Sequence, residues 1–335
     1  MSKSPGAARS ARGAGSTLAR SQHELPVVPP FRLDLTATAL RRVPTNVVDV
    51  LTPDGEYLHA FAAAHGPLIA RVAQRRPDVL DVILEGDARD ADARQRALAL
   101  VVRTLGLDRD LTPFDRAAAR LPWLRSLARR MRGIKPPRYR SLWEALVNAV
   151  VFQQVSLHAA TAIVKRLIMA FGMPLESGGT PLYLFPGAER VMSATDDALR
   201  GLGLSTGKIA TLRRASDAMR SGTLTEDIIE ALPSADATAL LTGIKGIGPW
   251  TATVMLLRGF GRLDVFPMND SGVARSLTLV TGDTSLDVDP VLTALGPQRG
   301  MLYFHLLLAR LDTRGEIGQP SVLPDGERGE AGRAR

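Results

Sequence analysis

The 335-residue chain contains no cysteine. Disulfides, cysteine-ligated iron-sulfur clusters and thiolate nucleophiles are therefore excluded. Histidine is scarce too, and the five present, at 23, 59, 65, 158 and 305, show no metal-ligand spacing. Neither a catalytic divalent metal nor any other cofactor is expected. No run approaches eighteen uninterrupted apolar residues, and the first thirty residues lack an apolar signal core. A membrane span and a secretory leader are thus not indicated, and the expected location is cytoplasmic.

What is there is a hydrophobic fraction of 45%, enough for a sizeable core at a length that suggests two or three domains. The formal charge is +8. Residues 1–30 contribute Lys3, Arg9, Arg12 and Arg20 against Glu24. A second basic stretch holds Arg116, Arg120, Arg125, Arg129, Arg130, Arg132, Lys135, Arg138 and Arg140, with no Asp or Glu from 116 to 143. Such a cluster suits a phosphate backbone; a solvated helix face accounts for any single member equally well.

Four regions follow along the chain. Residues 1–29, rich in Ser, Ala, Gly and Arg, are expected to be a disordered basic tail. From 30 to 111 a small α+β domain is expected: FRLDLTA and DVLDVILEG alternate like strands, Pro53-Asp54-Gly55 is a turn, and DADARQRALALVVRTLGL is a helix ending at Gly106. From 112 to 314 strand signals nearly vanish and helical spacing takes over, as in LWEALVNAVVFQQVS, where Leu142, Ala145, Leu146, Ala149 and Val150 share one face. Residues 315–335 are expected to be a disordered tail. The fold class is mainly α with a small α+β N-terminal domain.

The stretch LTGIKGIGPWTATVMLLRGFGRLDVFPMND, residues 241–270, carries the chemistry. One helix must end near Gly243 and another start at Pro249, a favoured first helical position. Glycine at 246 and 248 permits positive φ and lets the backbone approach another molecule. The amides of the hairpin and of the following helix then offer a phosphate site, with Thr251 as an additional donor. A plain helical turn explains an isolated GxG just as simply. Asp270 stands where a helix N-cap belongs. A carboxylate one helix away from a phosphate-binding hairpin also has the makings of an electrostatic stabiliser or base.

This segment resembles the signature of the helix-hairpin-helix DNA glycosylases, and most closely the AlkA-like type, 3-methyladenine DNA glycosylase II. The resemblance continues in LFPGAERV, LRGLGLSTGKIATLRRAS and GPQRGMLYFHL and covers most of 31–310. It implies a helix-hairpin-helix glycosylase fold with the cleft between two helical subdomains. Such enzymes extrude a damaged nucleotide and cleave its N-glycosidic bond. By resemblance Asp270 is the catalytic carboxylate, Trp250 stacks on the extruded base, and Lys245, Gly246, Ile247 and Gly248 grip the backbone. A monovalent cation on the carbonyls of Ile244 and Ile247 is also implied. Cationic alkylated purines would be drawn to the indole face.

Trp250 stands where strand-cutting relatives place a Schiff-base lysine. A monofunctional enzyme that removes 3-methyl or 7-methyl purines is therefore expected. Two departures bear on substrate range. Leu307 takes the place of a second pocket tryptophan, and Gln154, beside Gln153, takes that of a leucine wedge. The expected partner is damaged double-stranded DNA, bound by a nucleoid-associated monomer. A glycosylase for deaminated or oxidised bases and a non-catalytic DNA-binding protein remain the alternatives, although a carboxylate near DNA costs affinity unless it is used.

Overall fold

In the computed structural model, which describes residues 19–86 and 91–317, the N-terminal part consists of seven elements. These are β1 (Ala19–Pro26), α1 (Leu33–Arg41), β2 (Val50–Leu51), β3 (Tyr57–Phe61), β4 (Leu68–Gln74), β5 (Val79–Gly86) and α2 (Ala91–Leu105). The strands form one antiparallel sheet in the order β1-β5-β4-β3-β2. In β5 the alternation works as the sequence predicts, with Leu80, Val82 and Leu84 buried. Gly55, at φ 80°, turns the chain between β2 and β3.

Two expectations are corrected here. Residues 19–26 pair with β5 along their whole length, from Ala19 opposite Gly86 to Pro26 opposite Val79. Residues 19–26 of the expected tail are therefore a strand, and the sheet starts upstream of residue 30. As an edge strand with mostly solvated side chains, β1 is held by backbone bonds rather than by apolar burial, so hydropathy does not reveal it. The remainder of that tail, the tail from 318 and the Asp90 start of α2 lie outside the described residues.

FRLDLTA, read as strand-like, belongs to α1. Every residue from Leu33 to Leu40 is buried. Two of its polar residues are satisfied by protein rather than water: Asp34 accepts from Arg32 at 3.1 Å, and Thr36 Oγ1 accepts from the Lys135 N–H at 3.1 Å. A helix buried on all sides has no polar face to betray its 3.6-residue period.

The helical part begins with α3 (Thr112–Ala118), α4 (Pro122–Arg130), α5 (Leu142–Val151) and α6 (Leu157–Phe171). A hairpin of β6 (Met173–Ser177) and β7 (Thr180–Leu184) interrupts the helices in a region expected to be strand-poor. Gly178 and Gly179, at φ 54° and 79°, make its two-residue turn. Leu182 packs on Leu58, Ala60 and Ile69, covering the sheet face opposite α1 and α2. The chain continues through α7 (Ala188–Met192), α8 (Asp196–Gly201), α9 (Thr206–Arg220), α10 (Glu226–Ala231), α11 (Ser234–Thr242) and α12 (Pro249–Phe260). It closes with α13 (Ser271–Thr281), α14 (Asp289–Leu295) and α15 (Gly300–Asp312).

These helices build two cores. One gathers α5, α6 and α7–α12 around Leu146, Leu167, Leu212 and Met255. The other gathers α3, α4 and α13–α15 around Phe114, Leu124, Leu302 and Phe304. Fully buried Arg258 of α12 ties them to the N-terminal domain: its Nη2 donates to the Ala39 and Leu40 carbonyls at 3.0 and 3.2 Å, at the end of α1. The rings of Tyr139 and Phe304 lie 5.1 and 5.8 Å from its guanidinium carbon. Terminal carbonyls and aromatic faces thus replace the water such a cation loses.

The basic cluster of 116–140 is divided. Arg116, Arg120, Arg125, Arg129, Arg130 and Arg132 are exposed on or beside α3 and α4. Lys135, Arg138 and Arg140 are buried, against the idea of one continuous phosphate-tracking stripe. Lys135 Nζ donates to the Arg109 carbonyl, and Arg140 bonds both Asp49 and Glu144. These cations are used to join the domains.

Candidate active site

The cleft between the two helical cores has a volume of about 830 Å³. Its first wall is the turn after α5, the hairpin 243–248 and the start of α12; its second is the start of α13 and the inner face of α15. Trp250 packs with the first core, and Leu307 and Tyr303 with the second. The two expected pocket residues therefore face the same space from opposite sides.

Hairpin geometry follows from one glycine more than from two. Gly246 sits at φ 103°, and a Cβ there would lie 1.9 Å from Thr211 Oγ1. Gly248, by contrast, is the extended N-cap of α12 at φ −91°, with nothing within 4 Å of an added Cβ. The expected positive φ is thus required at Gly246 and absent at Gly248. Ile247 is 3% exposed and anchors the turn in the first core, with its N–H on the Ile244 carbonyl at 2.9 Å. Lys245 is exposed. Its carbonyl accepts from Arg214 Nη1 at 3.2 Å. The first-turn amides of α12 have no intrahelical acceptor.

The two glutamines part company. Gln153 Nε2 donates to the Gly246 carbonyl at 2.9 Å and to Thr251 Oγ1 at 2.8 Å. It braces the hairpin from behind. Thr251 is 2% exposed, so its hydroxyl supports Gln153 instead of serving as the outward phosphate donor expected. Gln154 is exposed at the cleft edge with φ 53°, a left-handed backbone rarely adopted by a non-glycine residue.

Asp270 does two things at once. Oδ1 accepts from the N–H groups of Gly272 and Val273 at 2.7 and 2.9 Å, capping α13. Oδ2 accepts from Trp250 Nε1 at 2.9 Å. Both oxygens are held, one by a helix N-terminus and one by the residue expected to stack on a base. Asn269, at φ 59°, turns the chain into that position. Among the described residues Asp270 is the only carboxylate in the cleft lining, which also holds Arg42, Arg275 and Arg310. No lysine lines it.

Sequence reasoning missed Arg42, Tyr303 and Arg310. Arg310 lies one helical turn beyond Leu306, so the i, i+4 spacing in LLLAR carried a signal. Arg42 reaches the cleft from the N-terminal domain, where no local pattern announces it.

A braced hairpin, a capped carboxylate and the helix between them thus meet on one cleft. Residues 147–288 match the HhH-GPD superfamily base excision DNA repair protein model, and this part of the chain is a domain of that superfamily. The chain is similar to the DNA-3-methyladenine glycosylase of Bacillus subtilis (strain 168), 31% identical over 187 residues, covering 56% of this chain and 62% of that one. It is also similar to DNA-3-methyladenine glycosylase 2 of Escherichia coli (strain K12), 32% identical over 139 residues, covering 41% and 48%. The chain thus spans less than two thirds of the length of these curated relatives. The solved 3-methyladenine DNA-glycosylase from Archaeoglobus fulgidus superposes with a TM-score of 0.70 at 23% identity, covering 87% of this chain and 99% of that one. The fold is that of the helix-hairpin-helix glycosylases. Among the described residues no helix is long and apolar enough to cross a membrane.

Proposed function

We propose that the chain is a monofunctional DNA glycosylase that extrudes an alkylated purine, of the 3-methyl or 7-methyl class, from duplex DNA and hydrolyses its N-glycosidic bond. The observation that carries this reading is the Asp270 carboxylate, bonded by two backbone N–H groups and the Trp250 indole inside the cleft. A carboxylate needed only as a cap has no use for a third donor from another helix. Held in this way it pays no reorganisation cost as positive charge develops on the deoxyribose, which is the condition for electrostatic stabilisation of an oxocarbenium-like state. Water, oriented at the same carboxylate, then adds to the sugar carbon as the base leaves.

The remaining roles follow from the same geometry. The α12 first-turn amides and the open approach at Gly248 suit a DNA phosphate, with exposed Lys245 beside them. The carbonyls of Ile244 and Ile247 are the ones to hold a monovalent cation, and Gln154 is the residue to fill the gap left by an extruded base. Trp250 and Leu307 form opposite pocket walls, one aromatic and one aliphatic. The lining, which among the described residues holds no lysine, supports base removal without strand cleavage. The working form is a nucleoid-associated monomer.

The test is a panel of duplexes carrying 3-methyladenine, 7-methylguanine, hypoxanthine, uracil or 8-oxoguanine. Each is assayed with and without alkali to separate base release from strand cutting. Release of alkylated purines, with strand breaks only after alkali, is the expected result. Preferred release of uracil or 8-oxoguanine would favour the other lesion classes. Duplex binding without release from any of them would leave a DNA-binding protein.

A further inference from the structure

The second wall of the cleft carries two arginines on packed helices, Arg275 of α13 and Arg310 of α15. Both gather over the first turn of α13, the turn that Asp270 caps. Arg275 reaches back along its helix, its Nη2 on Ser271 Oγ at 3.3 Å. Arg310 Nη1 lies 3.3 Å from the point where a Cβ on Gly272 would stand, so the bare glycine lets this guanidinium close on the turn. Arg275 is exposed and Arg310 half-buried. Among the described residues neither forms an ion pair. Asp270, the carboxylate beside them in the lining, has both oxygens engaged already, by the Gly272 and Val273 N–H groups and by the Trp250 indole. It tempers the cations without bonding them: burial, Arg314 and Arg275 lower the pKa of Arg310 against the pull of Asp270 and Glu316. With buried Arg42 at the rear, the lining holds three cations and one anion. Like charges gathered in a cleft without a free acid call for an anion from outside.

We propose that Arg275 and Arg310 are positioning residues that clamp the two phosphates flanking the extruded nucleotide and so set its sugar against Asp270. The inference rests on the base-excision reading above and adds a phosphate subsite to it. A deoxyribose facing Asp270 carries a phosphate on each side, and two guanidiniums without an ion pair lie on the same helical turn as that carboxylate. Their planar forks match phosphate oxygens. The hairpin holds the backbone from the opposite wall, so the clamp supplies a second grip, on the nucleotide that has left the stack. Charge balance favours the proposed substrate. Two phosphodiester groups bring two negative charges, which match the excess positive charge of the lining. A cationic purine stacking on Trp250 therefore enters a neutral cleft instead of a positive one, and the Asp270 charge is left to the sugar.

The probe is a duplex with one tetrahydrofuran abasic analogue, which offers the sugar and its phosphates and has no base to release. Affinity of the full chain is measured with all phosphates charged, or with a single uncharged methylphosphonate on the 5′ or the 3′ side of the analogue. In the wild type each methylphosphonate is expected to weaken binding by about fivefold or more, the loss of one charge-assisted contact at a partly solvated site. Arg275→Met and Arg310→Met should each weaken binding of the charged duplex by a similar factor, and each should lose the response to one of the two linkages. Arg275→Lys and Arg310→Lys keep a cation and should retain most of the affinity. Undamaged duplex should be bound nearly as by the wild type in every variant, because its phosphates stay outside the cleft. Thermal unfolding checks that the variants fold. The clamp is overturned if neither methylphosphonate weakens wild-type binding, or if the Met variants keep the full wild-type response to both linkages. It is overturned equally if the Lys variants lose as much as the Met variants, or if undamaged duplex loses as much as the abasic one. Binding of the analogue involves no chemistry. Absence of base release from any lesion would thus count against the glycosylase reading alone, while the linkage experiment still decides the clamp.

Discussion

Trp250→Phe keeps an aromatic face in the cleft wall and removes one hydrogen bond, from Nε1 to Asp270 Oδ2 at 2.9 Å. Hydrogen bonds to charged groups contribute about 1.5–3 kcal/mol. Both partners are half-buried, so water replaces part of the lost bond, and the lower end, about 1.5 kcal/mol, is the better estimate. If that bond matters most when the sugar becomes cationic, the loss falls on the chemical step, and about 1.4 kcal/mol corresponds to a tenfold change in rate. Single-turnover excision of an alkylated purine is therefore expected to slow roughly tenfold for every base that is cleaved. Duplex binding should stay nearly unchanged, because the stacking face remains. Trp250→Ala should lose discrimination between bases in addition, by the roughly 1–3 kcal/mol of a base-aromatic stack. A Trp250→Phe enzyme within twofold of wild type would refute the idea that the indole N–H prepares the carboxylate.

The hairpin glycines should separate cleanly. Gly246→Ala forces a side chain into φ 103° against Thr211 Oγ1, and should destabilise the fold by about 2 kcal/mol or more in chemical denaturation. Gly248→Ala meets nothing in the free protein; it should unfold like wild type yet bind duplex DNA several-fold more weakly, and unaltered binding would remove Gly248 from the phosphate contact. His305 is buried against Phe114, with ring centres 4.6 Å apart, and desolvation holds its pKa down at about 4. The unfolded chain binds this proton from near pH 6.5, so stability is lost as pH falls from 6.5 towards 4, by roughly 3 kcal/mol in all. His305→Leu should flatten that part of the pH profile in urea unfolding, and coincident wild-type and variant slopes would contradict the assignment. A residual slope is expected from His59, which is buried and also lowered to about 4.

How much of this was legible in the sequence depended on where each signal resided. The hairpin, α12 and the Asp270 cap are local: glycine, proline and aspartate fix them within thirty residues, and the structure brings Gly246, Trp250 and Asp270 together on one cleft. The β6–β7 hairpin was also locally encoded, in Gly178-Gly179 between alternating runs, but its strands are short and lie among helices. α1 misled because its polar Asp34 and Thr36 answer to Arg32 and Lys135, not to water. β1 was invisible because an edge strand needs only a neighbour's backbone. Arg42 could not be foreseen at all, since its cleft position depends on Arg258, Phe152 and Tyr303, each from a different helix or turn. Local punctuation reads well from sequence. Long-range charge placement does not.

Asp270→Asn tests the central claim most directly. Asparagine caps a helix about as well as aspartate, so the bonds from Gly272 and Val273 can persist and the thermal midpoint should hardly move. The charge that would meet the cationic sugar is gone. Single-turnover excision of an alkylated purine is expected to fall at least a hundredfold, roughly 2.7 kcal/mol, while affinity for the same duplex is kept or improved by removal of an anion near phosphates. Excision at the wild-type rate by a folded Asp270→Asn protein would contradict it, and would assign the chemistry to another group.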